Sequence, residues 1–367
     1  MRSIYITFTI EFRRVKSDDS ERKFKRWLTL TECGFIILTM GKVFVLGSIN
    51  TDLVTYVDRL PERGETITGG RFSVFAGGKG ANQAIAASRA GSDVVMFGAV
   101  GDDSYGRERL RDLERDGVDI SGVVIKDRVH SGIAQIIVDS SGENIIAVAP
   151  GANFEFSPSD VRLSKADSPV GAGNGTGFDV ALFQNELKQT VTEELIRSVH
   201  SLGFCIVWNI APAFVNPPSE ETLKCVHYLV CNEVELGGLL AILLGKGNEG
   251  FLVEQEGIEL DKVKKSAREL LERGVKNVVV TLGSKGSVLV NSDGSSIYQE
   301  AYKVTPVDTV GAGDCFVGVF AASLAAGSTP EEALKYSSGA AALSVTREGA
   351  QASMPTLDEI NNFLNIS

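Results

Sequence analysis

Thr309-Val-Gly-Ala-Gly-Asp-Cys-Phe316 carries the clearest chemistry in this sequence. Glycines flank Ala312 and an alanine-rich amphipathic run follows at once. The backbone can therefore turn and aim successive N–H groups outward from a helix N-terminus, which makes an anion hole suited to phosphate. Asp314 stands in the first turn of that helix. A carboxylate would repel phosphate there, and fits better as a base that takes a proton from a hydroxyl attacking the phosphate. The spacing leaves a second reading open, because aspartate is also a favoured helix cap.

A second glycine-rich stretch, Ala76-Gly-Gly-Lys-Gly-Ala-Asn82, also opens a helix. It is not a Walker A loop, since neither Ser nor Thr follows Lys79. Lys79 and Asn82 can donate hydrogen bonds while Gly77 and Gly78 allow close approach, so a polyhydroxyl ligand would be satisfied here. The alternative is a strand–helix turn with an exposed lysine. Other polar residues stand where strands are predicted to end: Asn50 and Asp52, Glu186, Asn209, and Asn232 with Glu235. Ligands of open α/β sheets bind at the carboxyl ends of the strands, so the recurrence is itself a signal.

These residues need a parallel sheet to gather them. Residues 42–49 form a short continuous apolar run, the pattern of a strand buried on both faces. Similar runs recur at 93–100, Val180–Phe183, 205–208, 228–231 and Asn277–Thr281. Helical patterns lie between them at 81–90, 105–116, 192–202 and 261–273, and three more close the chain at 314–326, 330–343 and Leu357–Leu364. The alternation predicts an α/β fold: a three-layer αβα arrangement around a mostly parallel sheet. Near 51–76 and 131–150 the rhythm breaks into alternating apolar runs with a Ser-Gly turn, a hairpin signal. Those segments predict a small β-sheet lid over the ligand. The glycine-rich 171–177 loop and the stretch 239–257 read as irregular insertions.

Composition narrows the function further. There are 36 basic residues against 47 acidic ones, a net charge of −11, which argues against nucleic acid or an anionic membrane as partner. An anionic ligand must then be held locally against the overall field. The five cysteines are scattered and the three histidines do not cluster, so a zinc site is not expected and a reducing compartment is. No apolar run reaches the length of a membrane-spanning helix. Residues 1–40 mix charges with short apolar pieces and read as an N-terminal extension, with the alternating α/β domain occupying 41–367. The extension is too acidic for an ordinary organelle leader. The expected location is cytoplasmic, or a plastid or mitochondrion should residues 1–40 act as a leader.

From about Lys42 to Leu364 the chain resembles the ribokinase (pfkB) family of carbohydrate kinases. The resemblance rests on Gly77-Gly-Lys-Gly-Ala-Asn-Gln83 and Asp308-Thr-Val-Gly-Ala-Gly-Asp314. It implies a ribokinase-like fold and phosphorylation of D-ribose at the 5-hydroxyl by ATP. D-ribose would be held by Asn50, Asp52, Gly78, Lys79, Asn82, Glu186 and Asp314, with Asp314 as general base. ATP would meet Asn209, Asn232, Thr281, Gly283 and Gly286, and the backbone of Gly311, Ala312 and Gly313. Glu235 would order Mg2+ and its waters. A K+ activator would be held, mostly by backbone oxygens, at Asp308, Val310, Ser344, Arg347, Gly349 and Ser353. The family pairs its lids, so a homodimer is implied. The usual Asn-Pro-Ala-Pro stands here as Asn209-Ile-Ala-Pro212, and the two insertions are longer than expected.

Three alternatives follow. Another small sugar, deoxyribose or fructose, could be the substrate of the same chemistry. A non-catalytic relative could use the fold to bind a partner, although an aspartate at an anion hole argues against it. A nicotinamide oxidoreductase fails because no strand–G-x-G-x-x-G–helix unit occurs.

Overall fold

The computed structural model describes residues 41–68, 70–163, 179–245 and 260–366, together with the backbone of three earlier strands. Those three are β1 (Thr7–Arg13), β2 (Lys23–Thr31) and β3 (Gly34–Leu38). They pair antiparallel in a sheet of their own, where the sequence showed no clear period. The 171–177 loop and residues 246–257 of the second expected insertion lie outside the described residues.

The main sheet uses β4 (Val43–Leu46), β7 (Val94–Gly101), β8 (Asp119–Lys126), β11 (Val180–Phe183), β12 (Cys205–Asn209), β13 (Tyr228–Asn232), β14 (Asn277–Thr281), β15 (Ser287–Asn291) and β16 (Ser296–Gln299). Its order is β16-β15-β14-β13-β12-β11-β4-β7-β8, parallel from β8 through β14 and antiparallel at β15 and β16. Strands β8, β15 and β16 were not expected from the sequence: β8 and β16 are partly exposed, with polar residues among the apolar ones, and β15 is buried but offers only residues 288–290 as an apolar run.

The short apolar strands are buried because both faces are covered. In β4, Val43 and Val45 enter one core while Phe44 and Leu46 enter the other; β11 divides Val180 and Leu182 from Ala181 and Phe183 in the same way. On the first side lie α1 (Lys79–Arg89), α2 (Ser104–Arg115), α7 (Ala312–Ala325), α8 (Pro330–Ser344), α9 (Ala350–Ser353) and α10 (Leu357–Leu364). The second side carries α3 (Gln189–Ser201), α4 (Glu220–Cys225), α5 (Glu233–Leu243) and α6 (Leu260–Glu272). Helix α5 corrects the expected insertion at 239–257: Leu239 and Leu240 are helical and buried in the second core.

A second, four-stranded sheet uses β5 (Asn50–Tyr56), β6 (Phe72–Gly77), β9 (Gly132–Val138) and β10 (Asn144–Ala149), in the order β10-β9-β5-β6. Asn50 and Asp52 therefore do not end β4; they open β5, where the chain crosses from the main sheet into the smaller one. Among the described residues no helix is long and apolar enough to cross a membrane.

Candidate active site

Successive strands run outward from β4 to β8 on one side and from β11 to β16 on the other, so the strand order reverses between β4 and β11. A crevice opens beyond the strand ends at such a reversal. The segments leaving β4 and β11 meet there: the Ser48 hydroxyl donates to Glu186 Oε2 at 2.5 Å, and the Lys79 backbone N–H donates to the same oxygen at 2.9 Å.

Asp314 reaches this crevice from α7. Small residues set its distance from α1: a side chain at Gly318 would put Cβ 2.4 Å from the Gln83 carbonyl oxygen. The close approach brings two amides of α1 onto the carboxylate. Asn82 donates to Asp314 Oδ2 and Gln83 donates to Oδ1, each at 2.9 Å. Asp314 is buried and does not cap its helix; Gly311 does, at φ +76° and with no side-chain hydrogen bond. The capping alternative for Asp314 is thereby removed. The Ala312 N–H donates to the Thr309 carbonyl at 3.3 Å and the Cys315 N–H to the Gly311 carbonyl at 2.8 Å, which leaves the N–H groups of Gly313 and Asp314 for an anion.

The amides on Asp314 are themselves held. Gln351 Nε2 donates to Asn82 Oδ1 at 2.9 Å, and Gln184 Nε2 donates to Gln83 Oε1 at 2.8 Å. Gln83 Nε2 also donates to Asn209 Oδ1 at 2.9 Å, and Asn209 Nδ2 donates to the Val230 carbonyl at 3.1 Å. Asn50 is fixed similarly, its Oδ1 accepting from Asn153 Nδ2 at 2.8 Å. Ser48, Gln83, Asn153, Gln184 and Gln351 were not singled out from the sequence; of these, Gln83 lay inside a glycine-rich motif and Gln351 inside the 344–353 segment expected around potassium.

Charge is concentrated here. Lys79 is half-buried, not the exposed lysine of the alternative reading. The Asp314 carboxylate above all holds its ammonium beyond the usual lysine range, helped by Glu186, Glu235 and Asp52 against the effect of burial. Burial first, then repulsion from Glu186 and Asp314, pushes the Asp52 carboxyl up to about 7, against Arg109 and Lys79, which lower it. Gly77 makes room for that carboxylate: a Cβ there would lie 2.3 Å from both Asp52 oxygens.

On the other side of the Gly311–Asp314 turn is a cavity of about 520 Å³. Thr281, Gly283, Gly286, Ala312 and Gly313 line it, with apolar walls that include Phe316 and Val345. Asn209 and Asn232 do not line it. Asn209 faces Gln83 and Val230, while Asn232 caps α5 in a reciprocal box with Glu235. The cavity and the carboxylate crevice thus share one wall, the turn that carries Asp314.

The match to known families decides which chemistry this is: the model for the pfkB family of carbohydrate kinases covers residues 40–357. The chain belongs to that family. It is a sugar kinase with the ribokinase-like fold. A ribokinase of Schizosaccharomyces pombe is 36% identical over 334 residues, covering 89% of this chain and 99% of that one. A deoxyribokinase of Salmonella typhi is 32% identical over 325 residues, with 89% and 99% covered. The structure of an Arabidopsis thaliana ribokinase complexed with ribose and ATP superposes with a TM-score of 0.76 at 28% identity, covering 90% of this chain and all of that one.

Two ions implied for this kinase can be tested against the side chains. Among the described residues no three His, Cys, Asp or Glu side chains gather as a metal site. Magnesium is commonly held by one or two carboxylates, waters and substrate phosphates, so Glu235 alone would be enough to meet that expectation. Burial raises the Glu235 carboxyl, and only its Oε2 is taken, by the Asn232 N–H at 2.9 Å. The residues expected around potassium come from two segments that Asp308 ties together. Its Oδ1 accepts from the Val310 N–H at 2.9 Å and its Oδ2 from the Gly349 N–H at 2.8 Å. Ser344 and Ser353 donate their hydroxyls to the Ala341 and Ala350 carbonyls at 2.8 Å each, which leaves the hydroxyl lone pairs as well as the backbone oxygens as possible ligands.

Proposed function

We propose that this kinase transfers the γ-phosphoryl group of ATP to the 5-hydroxyl of D-ribose, giving ribose 5-phosphate and ADP. The observation that carries the reading is Asp314: a buried carboxylate with one amide donor on each oxygen, at the wall between a polar crevice and a nucleotide-sized cavity. The crevice offers Asn50, Asp52, Lys79, Asn82 and Glu186, with the Gly78 backbone, to sugar hydroxyls. ATP fills the cavity along Thr281, Gly283 and Gly286, with Asn209 and Asn232 at its phosphate end, and presents its γ-phosphate to the backbone of Gly311, Ala312 and Gly313.

Asp314 then takes the proton of the attacking hydroxyl as the oxygen–phosphorus bond forms and the bond to ADP breaks. The N–H groups of the turn stabilise the charge that builds on the phosphoryl oxygens, commonly the largest catalytic contribution. Lys79, kept cationic by its carboxylates, adds positive charge beside the transfer. Magnesium bound with the nucleotide supplies further neutralisation, with Glu235 ordering its water. Potassium would sit among Asp308, Val310, Ser344, Arg347, Gly349 and Ser353 and stiffen the anion-hole turn between them.

A homodimer through the small sheet and a cytoplasmic location complete the reading. Phe75, Ile146 and Val148 expose apolar surface on the sheet face that bears Asp52, and the four described cysteines are unpaired, as a reducing compartment requires. The Salmonella typhi relative supports a second reading, 2-deoxy-D-ribose. ADP release by the full chain with ATP, magnesium and D-ribose, 2-deoxy-D-ribose or D-fructose, with and without potassium, separates them. Ribose-dependent turnover that rises with potassium is expected. Higher kcat/KM on deoxyribose selects the second reading, and folded protein silent with every sugar overturns both.

A further inference from the structure

Gln83 and Gln184 touch no solvent, so neither can meet a sugar or nucleotide directly. Yet they complete a line of amides that ends on the catalytic carboxylate. The line has a fixed polarity. The Val230 carbonyl can only accept, so Asn209 must turn its Nδ2 toward it and offer Oδ1 to Gln83. Gln83 must then present Nε2 to Asn209, and the second hydrogen of the same nitrogen falls on Asp314 Oδ1. Gln184 fixes the other end by donating to Gln83 Oε1, which bars the flip that would set an amide oxygen against the carboxylate.

This arrangement is kept at a loss. Gln184 Oε1 is buried with no partner, an unfavourable state for a carbonyl group. It fits only because residue 47 is glycine, where a Cβ would come within 1.9 Å of that oxygen. A residue serving packing alone would be better as a hydrophobe of the same shape.

We propose that Gln83, oriented by Gln184 and Asn209, is a positioning residue for the phosphoryl-transfer base: it locks the rotation of the Asp314 carboxyl so that one lone pair of a set oxygen faces the attacking hydroxyl. The line also starts at the end of β12, so it couples the strand ends on the nucleotide side to the base. The proposal rests on Asp314 being the base, as read above.

The test uses Gln83→Met and Gln184→Met in the full chain, since methionine keeps the shape and removes the amide. Steady-state kinetics with the preferred sugar are read together with thermal melts. Gln83→Met should lower kcat by about 10- to 100-fold, the scale of a displaced catalytic group, with sugar KM held within about threefold. Gln184→Met, which does not touch Asp314, should lower kcat in the same direction by about three- to tenfold, again with KM retained. Folded Gln83→Met with normal kcat overturns the proposal, as does a change confined to KM. Should Gln83→Met not fold, normal kcat in Gln184→Met overturns it alone. Asp314→Asn runs alongside: normal turnover there defeats the base assignment, whereas an inactive Asp314→Asn beside a fully active Gln83→Met defeats only the amide line.

Discussion

At the scale of residues, the site is organised by what burial does to charge. Asp52 sits near 7 because it is desolvated and faces Glu186 and Asp314. Sugar hydroxyls donating to it favour the ionised form. Sugar binding at about pH 6.5 should therefore release protons, and sugar affinity should rise as pH rises toward about 7. Calorimetry in buffers of different ionisation enthalpy reads this directly, and a buffer-independent heat would speak against it. The sign for stability is the reverse. The folded carboxyl holds its proton above the unfolded value of 3.8, so its contribution is full below that pH and is lost as pH rises through about 7. Melting temperature without sugar should fall across that window, and an Asp52→Asn variant should flatten the slope. For Asp314 the expectation is kinetic: Asp314→Asn should bind sugar within a few-fold of normal while kcat falls by about two to four orders of magnitude. Turnover near normal would remove it from the mechanism.

At the scale of elements, the decisive contact is α1 against α7. Both helices present alanine and glycine at their interface, so their backbones approach closely enough for Asn82 and Gln83 to reach Asp314. Gly318→Ala would place a methyl group 2.4 Å from the Gln83 carbonyl oxygen and 2.6 Å from the Ala86 Cβ. The helices must separate, at a cost of about 1–3 kcal/mol in stability by overpacking. The same separation lengthens the two hydrogen bonds on Asp314. Denaturant titration and kcat should therefore fall together, and a variant that loses stability with unchanged kcat would show that the spacing is not catalytic. Gln184 repeats the logic at the switch point, since it depends on the missing side chain of Gly47.

At the scale of the whole molecule, the small sheet brings Asp52 on β5 within electrostatic reach of Glu186 and Asp314. Register puts Val54, Phe75, Ala134, Ile136, Ile146 and Val148 on the face that carries Asp52. Ile146 and Val148 remain about half exposed at 54% and 52%, a continuous apolar margin that water solvates poorly. A second copy seated on it, as proposed, would bury that margin and shield Asp52 from water. Ile146→Asp should shift sedimentation from dimer to monomer and raise sugar KM. A variant that stays dimeric, or wild-type protein that sediments as a monomer, would detach dimerisation from this face.

Sequence alone carried the alternating α/β order, the hairpin within 131–150 and the Gly311–Asp314 turn. Each is a local property: a buried strand needs an unbroken apolar run, and a tight turn needs glycine, so neighbouring residues suffice to write them. It misread Leu239–Leu243 as irregular, because a helix apolar all round has no period to follow. Asn50 and Asp52 were legible as polar residues but not as members of β5, since an apolar run does not say which sheet the next residue joins. The amide line through Gln184, Gln83 and Asn209 was invisible. Its members lie 101 and 126 positions apart, and an interior glutamine looks like any other until a carbonyl and a carboxylate are packed against it. Only the tertiary structure brings those groups together, and only their burial, which forbids water as a partner, turns three ordinary amides into a fixed orientation for one carboxylate.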